Sequence, residues 1–438
     1  MRPQLGSARG DARRPKNAFV DLEDDAFDGN RLFLAAGESA RLAFTFQSFE
    51  TYGERTNADG PQLRPRSAVI HFVDTNEGVS VHALVVDVRP RAAQIARAFA
   101  FHCASDYMRR MYFEYEKRSR EDADFSALPE LHATSSGLKA YCSWATKDAI
   151  ELCRLCCGGQ GFMALAGFGS TFGNYAPNAT YEGDNNVLCL QTARYLLKVR
   201  RAAAAVASKR ARAEDGETVR AAANGAARYL LEPRGGASAS GAGWRSGRDS
   251  DAMLAAYAHV ARRLVSAAAQ RAGSRPADAA MQSDMVAWIK AAKAHCAYVV
   301  LKTFKEAVDE VREKRWVSRS TQRAMERLVA LHGLATMDDA MGDFLEDGYV
   351  DGAGAEAIRT EIAALLLELR PDAAALTDAF ALDDYFLNSA LGAADGDVYA
   401  RLYAQVQDAP FNASHTPPGY ETLLRQRLLK GVEGSSKL

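Results

Sequence analysis

CRLCCGGQGFMALAGFGSTFGNYAPNATYEGDNNVLCLQTARYLLK, running from Cys153 to Lys198, is the stretch on which the reading of this chain turns. Gly158, Gly159 and Gly161 close an apolar helical segment, and an irregular connection rich in Gly, Asn and Pro follows. Thr180-Tyr181-Glu182-Gly183 then places a single carboxylate just before a helix that is expected to begin at about Asn185. Glycine lets the backbone pass close to a ligand and adopt positive φ. A helix start leaves unpaired N–H groups that favour an anion or a polar group. On spacing alone, Glu182 reads as a solvated loop carboxylate and the glycines as a helix cap and turn.

Upstream, Leu138, Tyr141, Cys142, Ala145, Ala149, Leu152, Cys153 and Cys156 form one apolar stripe that runs into the Gly158 turn. Before it, Ile95, Ala98, Phe99, His102 and Cys103 recur at helical spacing from Arg89 towards Arg118, with a loop expected at Leu128-Pro129-Glu130-Leu131-His132. Residues 1–38 give no clear element. Between 39 and 88, Leu42, Phe44 and Phe46, and again Val79, Val81, Ala83 and Val85, alternate with a period of two and predict short strands.

Downstream, a helix is expected from Val187 to about Ala207. Residues 208–250 shift to Arg, Ala, Gly and Ser, the composition of a flexible linker. Past Asp251, Met285, Trp288, Ile289, Ala292, Cys296, Val299 and Thr303 share a helical face. Further helices are expected at 322–332, 356–369, 373–380 and 398–404. His295 reads as a structural histidine, and Arg194 as either a cofactor contact or a packing residue.

With 438 residues there is ample core for two to three domains, and a net charge of −1 gives no global field towards nucleic acid. No apolar run approaches the ~20 residues of a membrane span. The first residues, MRPQLGSARGDARRPK, lack the apolar stretch of a secretory signal and are Arg-rich; they read as a disordered basic leader, with a transit peptide as the alternative. Seven cysteines, an odd number, argue for free thiols. Cys153, Cys156 and Cys157 have no second pair or histidine near them in sequence, so no metal site is expected.

CGGQGF, TYEGDNNV and QTARYLLK, in that order, resemble the flavin-dependent acyl-CoA oxidases of peroxisomes, relatives of the acyl-CoA dehydrogenases. LPELHA, AKAHCAYVVLKTF, RPDAAALTDAF, LNSALG and DGDVYARLYAQVQDAPFN are similar to the same family, so the likeness extends from about 89 to 438, looser at the linker and near 312–320. Asp184-Asn185-Asn186 after the acid resembles the oxidase branch rather than the Thr-x-Gln of the dehydrogenases. The chain ends in Ser436-Lys437-Leu438, the form of a peroxisomal import address read by a receptor.

The resemblance implies a mainly α fold: two helical-bundle domains of the acyl-CoA oxidase C-terminal type, with a small irregular or β-containing N-terminal segment. It divides the chain into a divergent segment at 1–88, a helical domain at 89–207 that carries the acid, the linker at 208–250 and a second helical domain at 251–438. The family's N-terminal helical domain and β-domain are expected to be missing, and segment 39–88 departs from the helix that the family places there. The resemblance makes Glu182 the base that removes the α-proton of an acyl-CoA, in a water-poor pocket that raises its pKa. It places Gly158, Gly159, Gly161, Asp184 and Asn186 at FAD, and Tyr181 and Gly183 at the substrate. The implied reaction yields trans-2-enoyl-CoA and passes electrons to O2, giving H2O2, in a peroxisomal homodimer. Two alternatives stay open: a truncated, non-catalytic dimerisation module, and an acyl-CoA dehydrogenase.

Overall fold

The computed structural model describes residues 89–231, 244, 247–393, 396–414, 416 and 419–428, with short strands between 31 and 87. β1 (Arg31–Ala36) pairs antiparallel with β2 (Ala40–Thr45), Leu34 opposite Leu42. Four two-residue strands follow, β3 (Ser67–Ala68), β4 (Val73–Asp74), β5 (Val79–Ser80) and β6 (Val86–Asp87), paired β3 with β6 and β4 with β5. Leu42, Phe44 and Val79 therefore fall in strands, whereas Phe46, Val81, Ala83 and Val85 lie outside the described residues.

From Arg89 onward the described residues are helical in character. α1 (Arg89–Glu121) is followed by α2 (Leu128–Cys156), which starts ten residues before the expected stripe. The expected loop at 128–132 is instead the first turn of α2. Pro129 is tolerated there because first-turn N–H groups have no intrahelical acceptor, and Glu130 suits the positive helix end. The connection expected to be irregular is a chain of tight helical turns: 3-10 turns at Gly158–Phe162 and Ala164–Ala166, α3 (Phe168–Tyr175), and a 3-10 turn at Ala176–Ala179. α4 (Asn185–Ala207) begins at the expected residue.

Within 208–250 the described part departs from a linker, whereas the run from Pro233 to Gly241 lies outside the described residues. The described part contains α5 (Ala213–Ala223) and a 3-10 turn at Arg228–Leu230, and Tyr229 and Leu230 are buried. Trp244 is also buried, and its Cβ approaches Gly354 so closely that a Cβ on that glycine would lie 2.8 Å away. Burial of these rings overrides a composition that, in isolation, favours an unordered chain.

The second half comprises α6 (Ser250–Ala272), α7 (Ala277–Ser283), α8 (Met285–Lys314), α9 (Arg319–Asp339), α10 (Met341–Leu345), α11 (Gly352–Leu369), α12 (Ala373–Asp378), α13 (Asp384–Leu387) and α14 (Val398–Asp408). α8 is the axis of the molecule. Trp288, Ala292, His295, Cys296, Val300, Leu301, Phe304 and Val308 are all buried, so its apolar surface covers most of its circumference. α1, α4 and α6 pack around it, and α2 and α9 complete the shell. The fold is thus mainly α, as expected, with two helical bundles that share one buried cluster extending from Ala92 to Ala379. Close approach of α2, α4 and α8 depends on Gly137, where a Cβ would lie 2.7 Å from both Cys296 Sγ and Thr192 Oγ1. The C-terminal part folds back on the first half: Ala390 N–H donates to Leu165 O at 2.8 Å and Ser389 Oγ to Ala166 O at 2.6 Å.

Candidate functional site

The acid-bearing turn lies between the last 3-10 turn and α4. Glu182 has φ +57 and Gly183 φ +104, two consecutive residues in the left-handed region. That conformation costs a residue with a Cβ roughly 1–2 kcal/mol. Three hydrogen bonds from one side chain offset it. Lys139 Nζ, on α2, donates to Tyr181 O at 3.0 Å, to Gly183 O at 2.8 Å and to Asn185 Oδ1 at 3.0 Å. Asn185 is fully buried and its amide nitrogen donates to Ser143 Oγ at 2.9 Å and Ala140 O at 3.3 Å. Both carbonyls flanking Glu182 are thereby fixed to α2.

Asp184 caps α4. Its Oδ1 accepts from Asn186 N–H at 2.9 Å and Val187 N–H at 3.4 Å, a contribution of about 1 kcal/mol. Asn186 beside it is exposed. The Glu182 carboxylate and N–H have no partner among the described residues, so both are available to a ligand.

Glu182, Tyr181 and Gly183 are all exposed. The water-poor pocket expected around the base is therefore not formed by the described residues of this chain. The physical reason is local. A left-handed turn ahead of a helix projects from the bundle surface, and only groups from another layer can cover it.

At the other end of the stretch, Gly158 has φ +57 immediately after α2, the conformation that a glycine beyond a helix end adopts readily. A Cβ on Gly158 or Gly159 would meet nothing within 4 Å, which leaves open backbone for a ligand to approach. Gly161 has a different role: it is buried, and a Cβ there would lie 2.2 Å from Arg154 O. Arg194 pairs with Asp278 at 2.9 Å and ties α4 to α7. His295 is buried, its Nδ1 3.1 Å from Tyr229 Oη, and burial pulls its pKa down to about 4. Sequence reasoning missed Lys139. Its partners are mostly backbone carbonyls, which leave no pattern of side chains to find.

The acyl-CoA oxidase C-alpha1 domain profile matches residues 92–197, including Glu182, and the acyl-CoA oxidase profile matches 249–429. The chain is 36% identical over 347 residues to peroxisomal acyl-coenzyme A oxidase 2 of Rattus norvegicus, covering 77% of this chain and 48% of that protein. Among solved structures it is similar to Arabidopsis thaliana acyl-CoA oxidase 1, with TM-score 0.66, 29% identity and coverage of 78% of this chain and 50% of that one. It is also similar to acyl-CoA oxidase-1 of Caenorhabditis elegans complexed with FAD and ATP, with TM-score 0.67, 25% identity and coverage of 82% and 52%. The chain spans about half the length of the relatives it matches. The helical fold and the two matched regions define the C-terminal helical part of an acyl-CoA oxidase. Over residues 92–429 this chain belongs to the acyl-CoA oxidase family.

Proposed function

We propose that the chain carries the catalytic base of a peroxisomal acyl-CoA oxidase, acting at the first step of fatty acid β-oxidation. The observation that supports this most is the TYEG turn itself: Glu182 is the one unpaired carboxylate there, on a turn fixed to α2 within the matched C-alpha1 region. Glu182 removes the α-proton of the acyl-CoA thioester. Its free backbone N–H donates to the thioester oxygen, where charge builds as the proton leaves. Tyr181 and Gly183 flank the acyl-CoA.

The exposed backbone at Gly158 and Gly159 and the exposed Asn186 fit the polar parts of FAD, with Gly161 and Asp184 shaping the turns that present them. Bound FAD would accept the hydride from the β-carbon and, reoxidised by O2, release H2O2. Glu182 is exposed in the described residues, so exclusion of water requires a further protein surface. The residue ranges 89–207 and 251–438 are proposed as the two functional domains, and the assembly as a homodimer. Ser436, Lys437 and Leu438, which lie outside the described residues, are proposed as the import signal for the peroxisome.

The test is Glu182→Gln in the full chain supplied with FAD. Peroxide release from an acyl-CoA is expected to vanish while bound flavin is retained. Full turnover by the variant would remove Glu182 from the reaction. A second reading draws support from the exposure of Glu182, Phe162 and Val187: a helical assembly module without catalysis. It predicts a folded, colourless dimer. An acyl-CoA dehydrogenase would instead turn over with an artificial electron acceptor and release little peroxide. Among the described residues, no helix is long and apolar enough to cross a membrane.

A further inference from the structure

We infer that Lys139 is the positioning residue for Glu182; this rests on the assignment of Glu182 as the base. An ammonium has three N–H donors, and all three are used within one turn. Two grip the carbonyls on either side of Glu182, those of Tyr181 and Gly183, and the third grips the buried Asn185 that opens α4. Among the described residues its three contacts are all to this turn, and none is to a carboxylate, so its charge is directed at the turn. The turn needs such a hold because Glu182 sits at φ +57, where a residue with a Cβ does not rest unaided.

The arrangement is also rigidly founded. Lys139 stands on the long helix α2, next to Ala140, whose carbonyl accepts from the same Asn185. Asn185 in turn donates to Ser143, one helical turn further on. α2 therefore holds the start of α4 from two sides and fixes the peptide that carries the base. Displacement of a base by about 1 Å costs on the order of a hundredfold in rate. A group that sets this peptide acts on kcat without touching the substrate.

The experiment uses the full chain with Lys139→Met and Lys139→Arg. The first readout, amide hydrogen exchange of residues 181–186, needs neither cofactor nor turnover. In Lys139→Met these amides are expected to exchange about tenfold faster while the rest of α4 is unchanged. The second readout is washout of the acyl-CoA α-proton into D2O, which reports the base directly. It is expected to fall by about a hundredfold in Lys139→Met with KM for the acyl-CoA held, and to recover in part in Lys139→Arg. Unchanged exchange at 181–186 together with undiminished washout overturns the inference. If Lys139→Met does not fold, Lys139→Arg alone decides: its planar guanidinium cannot aim three N–H groups from one atom at three acceptors and must lower washout, and parental values in both readouts overturn the proposal. A parent chain with no washout, or a Glu182→Gln variant that retains it, removes Glu182 as the base and is thereby distinguished from a failure of Lys139 alone.

Discussion

The Glu130 carboxylate accepts the backbone N–H of Ala226 at 2.6 Å, across 96 positions of sequence and in a buried setting. It joins the first turn of α2 to the turn that follows α5. Burial raises the Glu130 pKa, and the N–H groups of Ala226 and Ala227 work against that shift by stabilising the ionised form. The contact explains why residues 213–231, part of a stretch with linker composition, are ordered. Their polar backbone is satisfied by a buried acid, and the Tyr229 ring enters the core beside His295 and Tyr298.

Gly225 makes that contact sterically possible. A Cβ there would stand 1.9 Å from Glu130 Oε1 and 2.0 Å from Oε2, a separation that no rotamer change on the glycine side relieves. Gly225→Ala is expected to lower stability by about 1–3 kcal/mol, seen as a lower urea midpoint with an unchanged slope. A midpoint equal to that of the parent would mean that Glu130 can leave the turn at no cost, and the lock described above would not exist.

Asp378 presents the opposite situation. It is 1% exposed and neither carboxylate oxygen has a partner, so burial raises its pKa well above 3.8. For an acid whose folded pKa is raised, the folded state holds the proton more tightly. Its contribution to stability is present below the unfolded pKa and is lost as pH climbs through the window above 3.8. Asp378→Asn removes the titration at constant shape. The variant is expected to match its parent near the ordinary value of 3.8 and to gain on it by up to about 1.4 kcal/mol per pH unit above that. Denaturation midpoints across the acid-to-neutral range measure the gap, and a gap independent of pH would contradict the assignment.

Legibility in the sequence followed from whether a signal is local. α1, α4, α8 and α11 were readable because their apolar residues recur at helical spacing along one stripe. The start of α2 was not, because Pro129 reads as a break unless its first-turn position is known. Residues 213–230 were misleading because the cause of their order, Glu130, lies about a hundred positions away. At the candidate site, the acid and the glycines were legible as motifs with helix starts and ends around them. The exposure of Glu182 was not legible, since dryness depends on what covers a turn rather than on the turn itself. Lys139 escaped for a related reason: a lysine bonded to carbonyls looks, in sequence, like any solvated lysine.

His332 supplies a test in acid. It is buried on α9, its ring 6.2 Å from that of Phe304, and burial together with the nearby Arg97 charge pulls its pKa down from 6.5 to about 3. For a base whose folded pKa is depressed, the unfolded chain binds the proton first. Its contribution to stability is complete above 6.5 and is lost as pH falls from 6.5 towards about 3. The loss approaches about 1.4 kcal/mol per pH unit within that window. Asp378 works in the opposite direction over part of the same range, so the parent's own pH profile mixes the two. Comparison with His332→Gln isolates the histidine. The variant is expected to start less stable at neutral pH, through lost packing, and to lose stability more slowly than its parent as the solution is acidified. Parallel profiles for the two proteins would show that His332 takes up its proton in the folded chain as readily as in the unfolded one, and that the core around α9 admits a charge.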